Sequence, residues 1–525
     1  MTNQPKNHAG HAPQGHVCLI GAGPGDPGLI TVRGLERLRA ARVVVFDALS
    51  APALLEQAAP DAELIDVGKR AKAHKLTQDQ TNDLLVQKAR EGGLVVRLKG
   101  GDPYLFGRGA EEATYLARHG ITCEVIPGVT SGIAAPAMAG IPVTHRGHAS
   151  TVTFVTGHED PGKSDTAIDF AALAAMVAAG GTLCFYMGVG RLTAIVQSLS
   201  SHGLPMTTPI ALVQWGTTAR QRSLRSTFAQ VSREVERTGI GSPAIIVVGA
   251  VAGIDDPGLT WFTDRPLFGQ RILVTRTRQQ ASELRAQLEA LGAAVLEAPT
   301  IEIASPTQED TRQVADAVAS ISQYDWLVLT SGNAVAALAE ALAKQDRDAR
   351  HLAGVKIAAV GEATAEALRD RLNVRPDLVP TRAVAESLAG ELIAQQDLAG
   401  KRVLLLRADI ARPNLPKLLT DAGATVEEVT VYRTQRPASL PDAVLDALRD
   451  KQIDWVTFTS SSTARNLVEM LGQERTLLEP LQRASIGPIT SQTLRELNLP
   501  PTIESQEANV AGLVAVLVQA CAAQH

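Results

Sequence analysis

Large aromatic side chains are scarce here: Phe, Trp and Tyr together make up 3% of the 525 residues. An interior without rings must rest on Ala, Val, Leu and Gly, which suits helices packed closely against parallel sheets. Cysteine is rarer still, with four residues (Cys18, Cys123, Cys184, Cys521) and no C-x-x-C pair. That spacing argues against a disulfide scaffold and the common zinc motifs; it fits reduced thiols in a cytoplasmic protein with no metal site. No apolar run reaches the roughly 18–20 residues that a membrane helix needs. Met1–Gly15 is polar and lacks the apolar stretch of a secretion signal, so a disordered tail over 1–15 is expected in preference to metal binding by His8, His11 and His16. A basic excess is missing too: the net charge of −5 gives no support for nucleic-acid binding. What is present is an ordinary globular balance, 45% hydrophobic and 20% charged. At roughly 150 residues per domain, the length allows three or four domains.

The second half of the chain repeats itself. Gly269-Gln-Arg-Ile-Leu-Val-Thr-Arg276 recurs as Gly400-Lys-Arg-Val-Leu-Leu-Leu-Arg407, Asp325-Trp-Leu-Val-Leu-Thr-Ser331 as Asp454-Trp-Val-Thr-Phe-Thr-Ser460, and Val360-Gly as Ile486-Gly, at offsets of 131, 129 and 126 residues. A solenoid repeats every roughly 20–50 residues, so this period means two similar α/β units. Such pairs commonly enclose a ligand cleft. Nothing in the first 250 residues follows the pattern, and the chain reads as two proteins joined. The expected division is 16–253 (subdomains 16–147 and 148–253), a proline- and aspartate-punctuated linker 254–268, and 269–525.

In the first half, strands at Val17–Ile20, Val43–Asp47, Leu94–Leu98 and Thr122–Ile126 alternate with helical patterns, beginning with Leu29–Ala40, as in a mostly parallel sheet. Thr151–Thr156, Gly181–Met187, Pro209–Gln214 and Ala244–Gly249 read as strands of a second α/β unit. Gly21-x-Gly23 after the first strand invites a dinucleotide reading, but Asp26 stands where the third glycine belongs and Pro24 has no N–H for a pyrophosphate. Two further loops follow neighbouring strands. Lys99-Gly-Gly-Asp-Pro-Tyr-Leu-Phe-Gly-Arg-Gly109 allows close backbone approach and offers the Asp102 carboxylate, while Pro127-Gly-Val-Thr-Ser131 offers hydroxyls at a helix start. Three such loops at strand C-termini form a crevice suited to a nucleoside-like ligand.

GAGPGDPGLIT, VGKR, RLKGGDPYLFGRG, PGVTS, GIPVTHR, FYMG and GSPAIIVVG resemble the S-adenosylmethionine-dependent uroporphyrinogen-III C-methyltransferases over about residues 16–250. The resemblance implies the tetrapyrrole methyltransferase fold of two α/β subdomains. It places S-adenosylmethionine, two per product, against Pro24, Gly100, Gly101, Asp102, Leu105, Thr130, Ser131, Met187 and Gly216. It makes Asp47 the proton acceptor and Lys69 the donor; Asp47 as a helix cap near Ser50 is the plainer alternative. The substrate carries eight carboxylates, and Arg70, His145 and Arg146 lie in the densest basic groupings of this half, which also read as solvated surface runs. A methyltransferase of this fold acting on RNA or protein is the competing reading, opposed by Lys69–Lys75 and GIPVTHR. A homodimer through this domain is expected.

In the second half, Thr330-Ser331 and Thr459-Ser460-Ser461 end strands and start helices, and Gly361 and Gly487 with Thr490 mark two more such corners. Free N–H groups and the helix dipole favour anions there, although routine capping explains any one corner alone. Thr457-Phe-Thr-Ser-Ser-Ser-Thr463, Ser485-Ile-Gly-Pro-Ile-Thr490 and Val429-Thr-Val-Tyr-Arg-Thr434 resemble uroporphyrinogen-III synthase, a hydro-lyase of two α/β lobes. By that resemblance the lobes are about 269–303 with 436–525, and 304–435. Tyr432 then assists loss of the hydroxyl from hydroxymethylbilane, or merely packs at a strand end. Arg276, Ser331, Gly361, Ser460, Ser461 and Thr490 become candidates for the substrate carboxylates. Together the halves imply a bifunctional enzyme of porphyrin, sirohaem and cobalamin biosynthesis, with small tetrapyrroles as its partners and no nucleic acid or membrane. The alternative is an active methyltransferase whose second half only senses ligand or is inactive.

Overall fold

A computed structural model of the chain describes residues 15–47, 52–68, 76–157, 168–275, 278–304, 306–382, 385–395, 398–409 and 414–523. The tail expected over 1–15 therefore lies outside the described residues except for Gly15. The chain forms two compact units, one built mainly on the sequence up to Arg271 and the other on the sequence from Ile272 onward. Among the described residues no helix is long and apolar enough to cross a membrane.

The first unit holds two five-stranded sheets. Strands β1 (His16–Gly21), β2 (Val43–Phe46), β3 (Glu63–Asp66), β4 (Leu94–Lys99) and β5 (Cys123–Ile126) form a sheet in the order β3-β2-β4-β1-β5. Every pairing in it is parallel. Val43, Val44 and Val45 are fully buried, as are Val17 to Ile20, because helices cover both faces of a parallel sheet and leave no polar side. The register opposes Gly21 to Lys99 and Ile20 to Ile126, so three chains leave the sheet side by side at one edge. The helix expected over Leu29–Ala40 begins later, at Val32, because Thr31 caps it by accepting the Gly34 N–H at 3.2 Å; Pro27–Leu29 is a separate 3-10 turn.

The second sheet joins β6 (Thr151–Thr156), β7 (Gly181–Tyr186), β8 (Pro209–Gln214), β9 (Arg222–Thr227) and β10 (Ala244–Val248) in the order β6-β7-β10-β8-β9. Only β6 and β7 are parallel; β10 runs antiparallel to β7 and β8, and β9 antiparallel to β8. The residues after this sheet are packed, with Phe262 and Leu267 buried.

The second unit also has two sheets. Strands β11 (Arg271–Val274), β12 (Ala294–Glu297), β13 (Glu302–Ala304), β14 (Trp326–Leu329), β15 (Lys356–Ala359), β16 (Arg402–Ala408), β17 (Thr425–Gln435), β18 (Trp455–Phe458), β19 (Gln482–Ser485) and β20 (Ile503–Glu504) divide into β12-β11-β18-β19-β20 and β13-β17-β16-β14-β15. The repeated segments occupy equivalent places: β18 lies between β11 and β19, and β14 lies between β16 and β15. The repeats are nevertheless exchanged. The opening strand of the first repeat (β11) pairs with β18 from the second, while the opening strand of the second (β16) pairs with β14 from the first. Each lobe is thus assembled from both copies.

Candidate functional site

In the first unit the three glycine-rich loops meet. Gly23 and Gly101 bridge antiparallel, with the Gly101 N–H donating to the Gly23 carbonyl at 2.7 Å. Gly21 and Gly128 touch so closely that a Cβ on Gly21 would sit 2.5 Å from the Gly128 Cα. Only hydrogen side chains permit that approach. Gly101 has φ +68°, and a Cβ there would point toward Thr130 and Ser131 with nothing nearer than 3.9 Å, so it would project into the crevice itself.

Asp102 is used within the protein. Its Oδ1 accepts the N–H groups of Tyr104 and Leu105 at 2.8 and 3.1 Å, and its Oδ2 accepts that of Gly128 at 3.0 Å. The carboxylate thereby ties the second loop to the third. Thr130 likewise does not cap its own helix, Ser131–Met138. The Tyr186 hydroxyl takes that place, accepting the Gly132 N–H at 2.7 Å and lying 2.6 Å from Thr130 Oγ1. Burial raises the pKa of the Tyr186 phenol, which keeps it protonated and able to donate.

The second subdomain completes the rim. Asp26 N–H donates to Thr217 Oγ1 at 3.1 Å, and a Cβ on Gly25 would strike Thr218 at 2.7 Å, so Pro24 is held beside the turn after β8. Gly216 in that turn is packed on Ala135 of the Ser131–Met138 helix, where a Cβ would lie 2.2 Å from the alanine methyl. Phe106 stacks near Tyr186 at 5.1 Å between centroids, and Leu105 packs on the core beneath. Phe106, Arg108, Met187, Trp215 and Thr217 all have φ between +49° and +69°. Backbone in this left-handed region costs about 1–3 kcal/mol per non-glycine residue and gathers at ligand sites. Tyr104, Phe106, Ile133 and Met187 leave large apolar surfaces exposed there. The loops that carry Pro24, Gly101, Asp102, Thr130, Met187 and Gly216 are thus tied to one another.

Asp47 follows β2 at the same sheet edge, with its carboxylate 3.5 Å from Arg97 Nη2 and 29% exposed. Arg97 and Lys99 share one face of β4, both buried, and both meet the wholly buried Glu112, at 3.4 and 2.8 Å. Burial, then the Arg97 charge, lowers the pKa of Lys99. Sequence pattern alone does not single out these three groups, although two cations two residues apart inside an apolar strand are a visible signal. Lys69 and Arg70 lie outside the described residues. His145 and Arg146 are exposed on the turn closed by the His145–Ala149 bridge.

In the second unit the four corners form two matched pairs. Ser331 and Ser460 are the N-caps after β14 and β18, with φ/ψ of −162°/160° and −165°/162°. Each side chain accepts from its own helix, at Ala334 and Thr463. Capping therefore accounts for these hydroxyls, and the reading of them as open anion ligands is narrowed. Gly361 and Gly487, after β15 and β19, cap their helices with no side chain among the described residues. Ser461, the first residue of the helix that Ser460 caps, accepts from Thr493 at 2.8 Å, and Thr490 is buried. The Tyr432 hydroxyl lies 3.2 Å from Ser331 Oγ, placing it at the mouth of one corner. Beside it Arg433 clasps Asp310 at 2.7 and 3.0 Å, a pair the sequence did not reveal. Arg276 is outside the described residues; its repeat counterpart Arg407 is buried and pairs with Glu428 at 2.6 Å.

Residues 16–232 match the tetrapyrrole (corrin/porphyrin) methylases, and residues 282–515 match uroporphyrinogen-III synthase HemD. The porphyrin biosynthesis protein HemD of Ruminiclostridium josui is 36% identical over 485 residues, covering 92% of this chain and 94% of that protein. The S-adenosyl-L-methionine-dependent uroporphyrinogen III methyltransferase of Methanosarcina barkeri is 48% identical over 242 residues, 46% of this chain and 94% of its own length. Among solved structures, uroporphyrin-III C-methyl transferase of Thermus thermophilus complexed with S-adenyl homocysteine shares 37% identity, covering 45% of this chain and 98% of that one at a TM-score of 0.39.

Proposed function

The chain belongs to the tetrapyrrole methylases through its first half and to the uroporphyrinogen-III synthases through its second, and we propose that it carries both activities in succession. The second unit closes hydroxymethylbilane to uroporphyrinogen III with inversion of ring D. The first methylates that product at C2 and C7 to give precorrin-2.

The observation that supports the first activity is the joining of the three glycine-rich loops, with Asp47 at the same end of the sheet. A Cβ at Gly101 would project toward Thr130 and Ser131, as expected where a ligand approaches the backbone closely. S-adenosylmethionine bound there supplies an electrophilic methyl group. Loops already fixed by Asp102 and Tyr186 hold their shape before ligand arrives, which lowers the ordering cost of binding. As a pyrrole carbon takes the methyl, the ring gains positive charge and must lose a proton. Asp47, partly exposed at the strand end, stabilises that charge and receives the proton. The transfer needs no metal, since carbon nucleophile and sulfonium leaving group supply both halves of the displacement. In the second unit the Tyr432 phenol donates toward the departing hydroxyl, and the helix starts at Gly361 and Gly487 hold substrate carboxylates.

The test is the full chain supplied with hydroxymethylbilane and S-adenosylmethionine, with products identified by mass and absorbance. Doubly methylated type III product is expected. Type I uroporphyrinogen would show an inactive second half, and unmethylated type III product an inactive first half.

A further inference from the structure

Arg97 is 6% exposed, and all three of its guanidinium nitrogens are engaged. Nε faces Glu112 at 3.4 Å, Nη1 donates to the Leu98 and Val45 carbonyls at 3.1 and 3.4 Å, and Nη2 faces Asp47 at 3.5 Å. A planar fork used on every side has one orientation. Glu112 Oε1 also receives Lys99 Nζ at 2.8 Å and Gln78 Nε2 at 3.0 Å, while its Oε2 is buried without a partner among the described residues.

The charges balance only when Asp47 is included. Glu112 neutralises one of the two buried cations, and the carboxylate at the crevice edge answers the other. A buried ionic cluster is not a strong source of stability, because well-packed apolar side chains of similar volume serve as well or better. Its placement is the telling fact: β4 runs from Arg97 through Lys99 directly into Gly100 and Gly101, and the Lys99 carbonyl accepts the Ala22 N–H at 2.8 Å. The strand that holds Asp47 therefore also anchors two of the three crevice loops.

From this geometry we infer that Arg97 is a positioning residue for Asp47, with Glu112 and Lys99 as the buried frame that fixes its guanidinium. The inference rests on the reading of the first half as a methyltransferase with Asp47 at the reacting ring. Arg97→Met leaves the Lys99–Glu112 pair neutral, and Arg97→Lys keeps the charge without the fork. In the full chain, both variants should bind S-adenosylmethionine within about twofold of wild type, lose about tenfold or more in kcat, and leave KM for uroporphyrinogen III nearly unchanged. In an Asp47→Asn background the same Arg97 changes should cost less than about twofold further, since the group being positioned has already lost its charge.

Four results would overturn the inference: equal losses with and without Asp47, full recovery of kcat by Arg97→Lys, wild-type turnover in Arg97→Met, or failure of both variants to bind S-adenosylmethionine. The last assigns Arg97 to folding, and recovery by lysine assigns it to charge balance. A wild-type chain that binds S-adenosylmethionine but leaves uroporphyrinogen III unmethylated removes the methyltransferase reading itself, and the inference with it.

Discussion

Asp102 and Gly128 are joined by one hydrogen bond of 3.0 Å, from the glycine N–H to the aspartate Oδ2, across 26 residues of chain. With the two bonds to Tyr104 and Leu105, it makes the second and third crevice loops a single piece. Asp102→Ala leaves three N–H groups without their acceptor, at about 1–3 kcal/mol for each one buried. S-adenosylmethionine affinity should fall by about tenfold or more. Asp102→Asn keeps one oxygen but turns an NH2 toward the remaining donor, so an intermediate loss is expected. Calorimetric titration of the full chain measures both.

Gly101→Val should abolish cofactor binding in a folded protein. The backbone there has φ +68°, which a β-branched residue resists, and the new side chain would enter the crevice. An unchanged circular dichroism spectrum with no binding heat is the expected pair of results. Unchanged affinity would place the ligand elsewhere.

Ser331 and Tyr432 should separate stability from turnover in the second unit. Ser331→Ala removes a helix cap and should cost about 1 kcal/mol in a urea unfolding experiment. Tyr432→Phe loses one 3.2 Å contact while its ring still packs, so its stability loss should be smaller. Its synthase turnover should fall, though modestly, because orienting ring D is the harder task. Wild-type turnover in Tyr432→Phe would leave the ring a packing role alone.

Acid should weaken the clasp between Asp310 and Arg433. The bidentate guanidinium, then the Thr307 cap, holds the Asp310 carboxyl well below its usual 3.8. A folded-state pKa below the unfolded one adds stability above the unfolded value and loses it as pH falls toward the folded one. The urea midpoint of the wild type should therefore drop more steeply than that of Asp310→Asn as pH falls from about 5 to about 2. The difference should be small, because Arg433 is 42% exposed and solvent screens the pair. Parallel titration curves would assign the pair no role in acid stability.

Apolar runs made most strands legible. Val43–Phe46 and Trp326–Leu329 are buried throughout, and sequences of that kind announce themselves. Glu63–Asp66 and Arg222–Thr227 were not read as strands because both are polar, partly exposed edges whose pairing is decided by a neighbour. The glycine loops were visible as loops, but which groups point inward was not. The three backbone donors that Asp102 accepts, one of them 26 residues away, cannot be read from its motif. Arg97 looks like one charge in a motif until Glu112, 15 residues on, closes against it from a helix. Such pairings belong to tertiary packing and leave no local trace in spacing or composition.

The exchange of opening strands between the two repeats has a consequence for how the second unit comes into being. Since β11 pairs with β18 and β16 with β14, neither repeat holds the strands of a complete sheet. The first lobe waits for β18, some 180 residues after β11, and closing loops of that length makes folding slow. A chain cut in the connection between the repeats should yield two fragments that are each unable to fold alone and that recover the unit when mixed. The duplication is thus an interlock: each copy supplies strands that the other needs, and neither can be lost without the other.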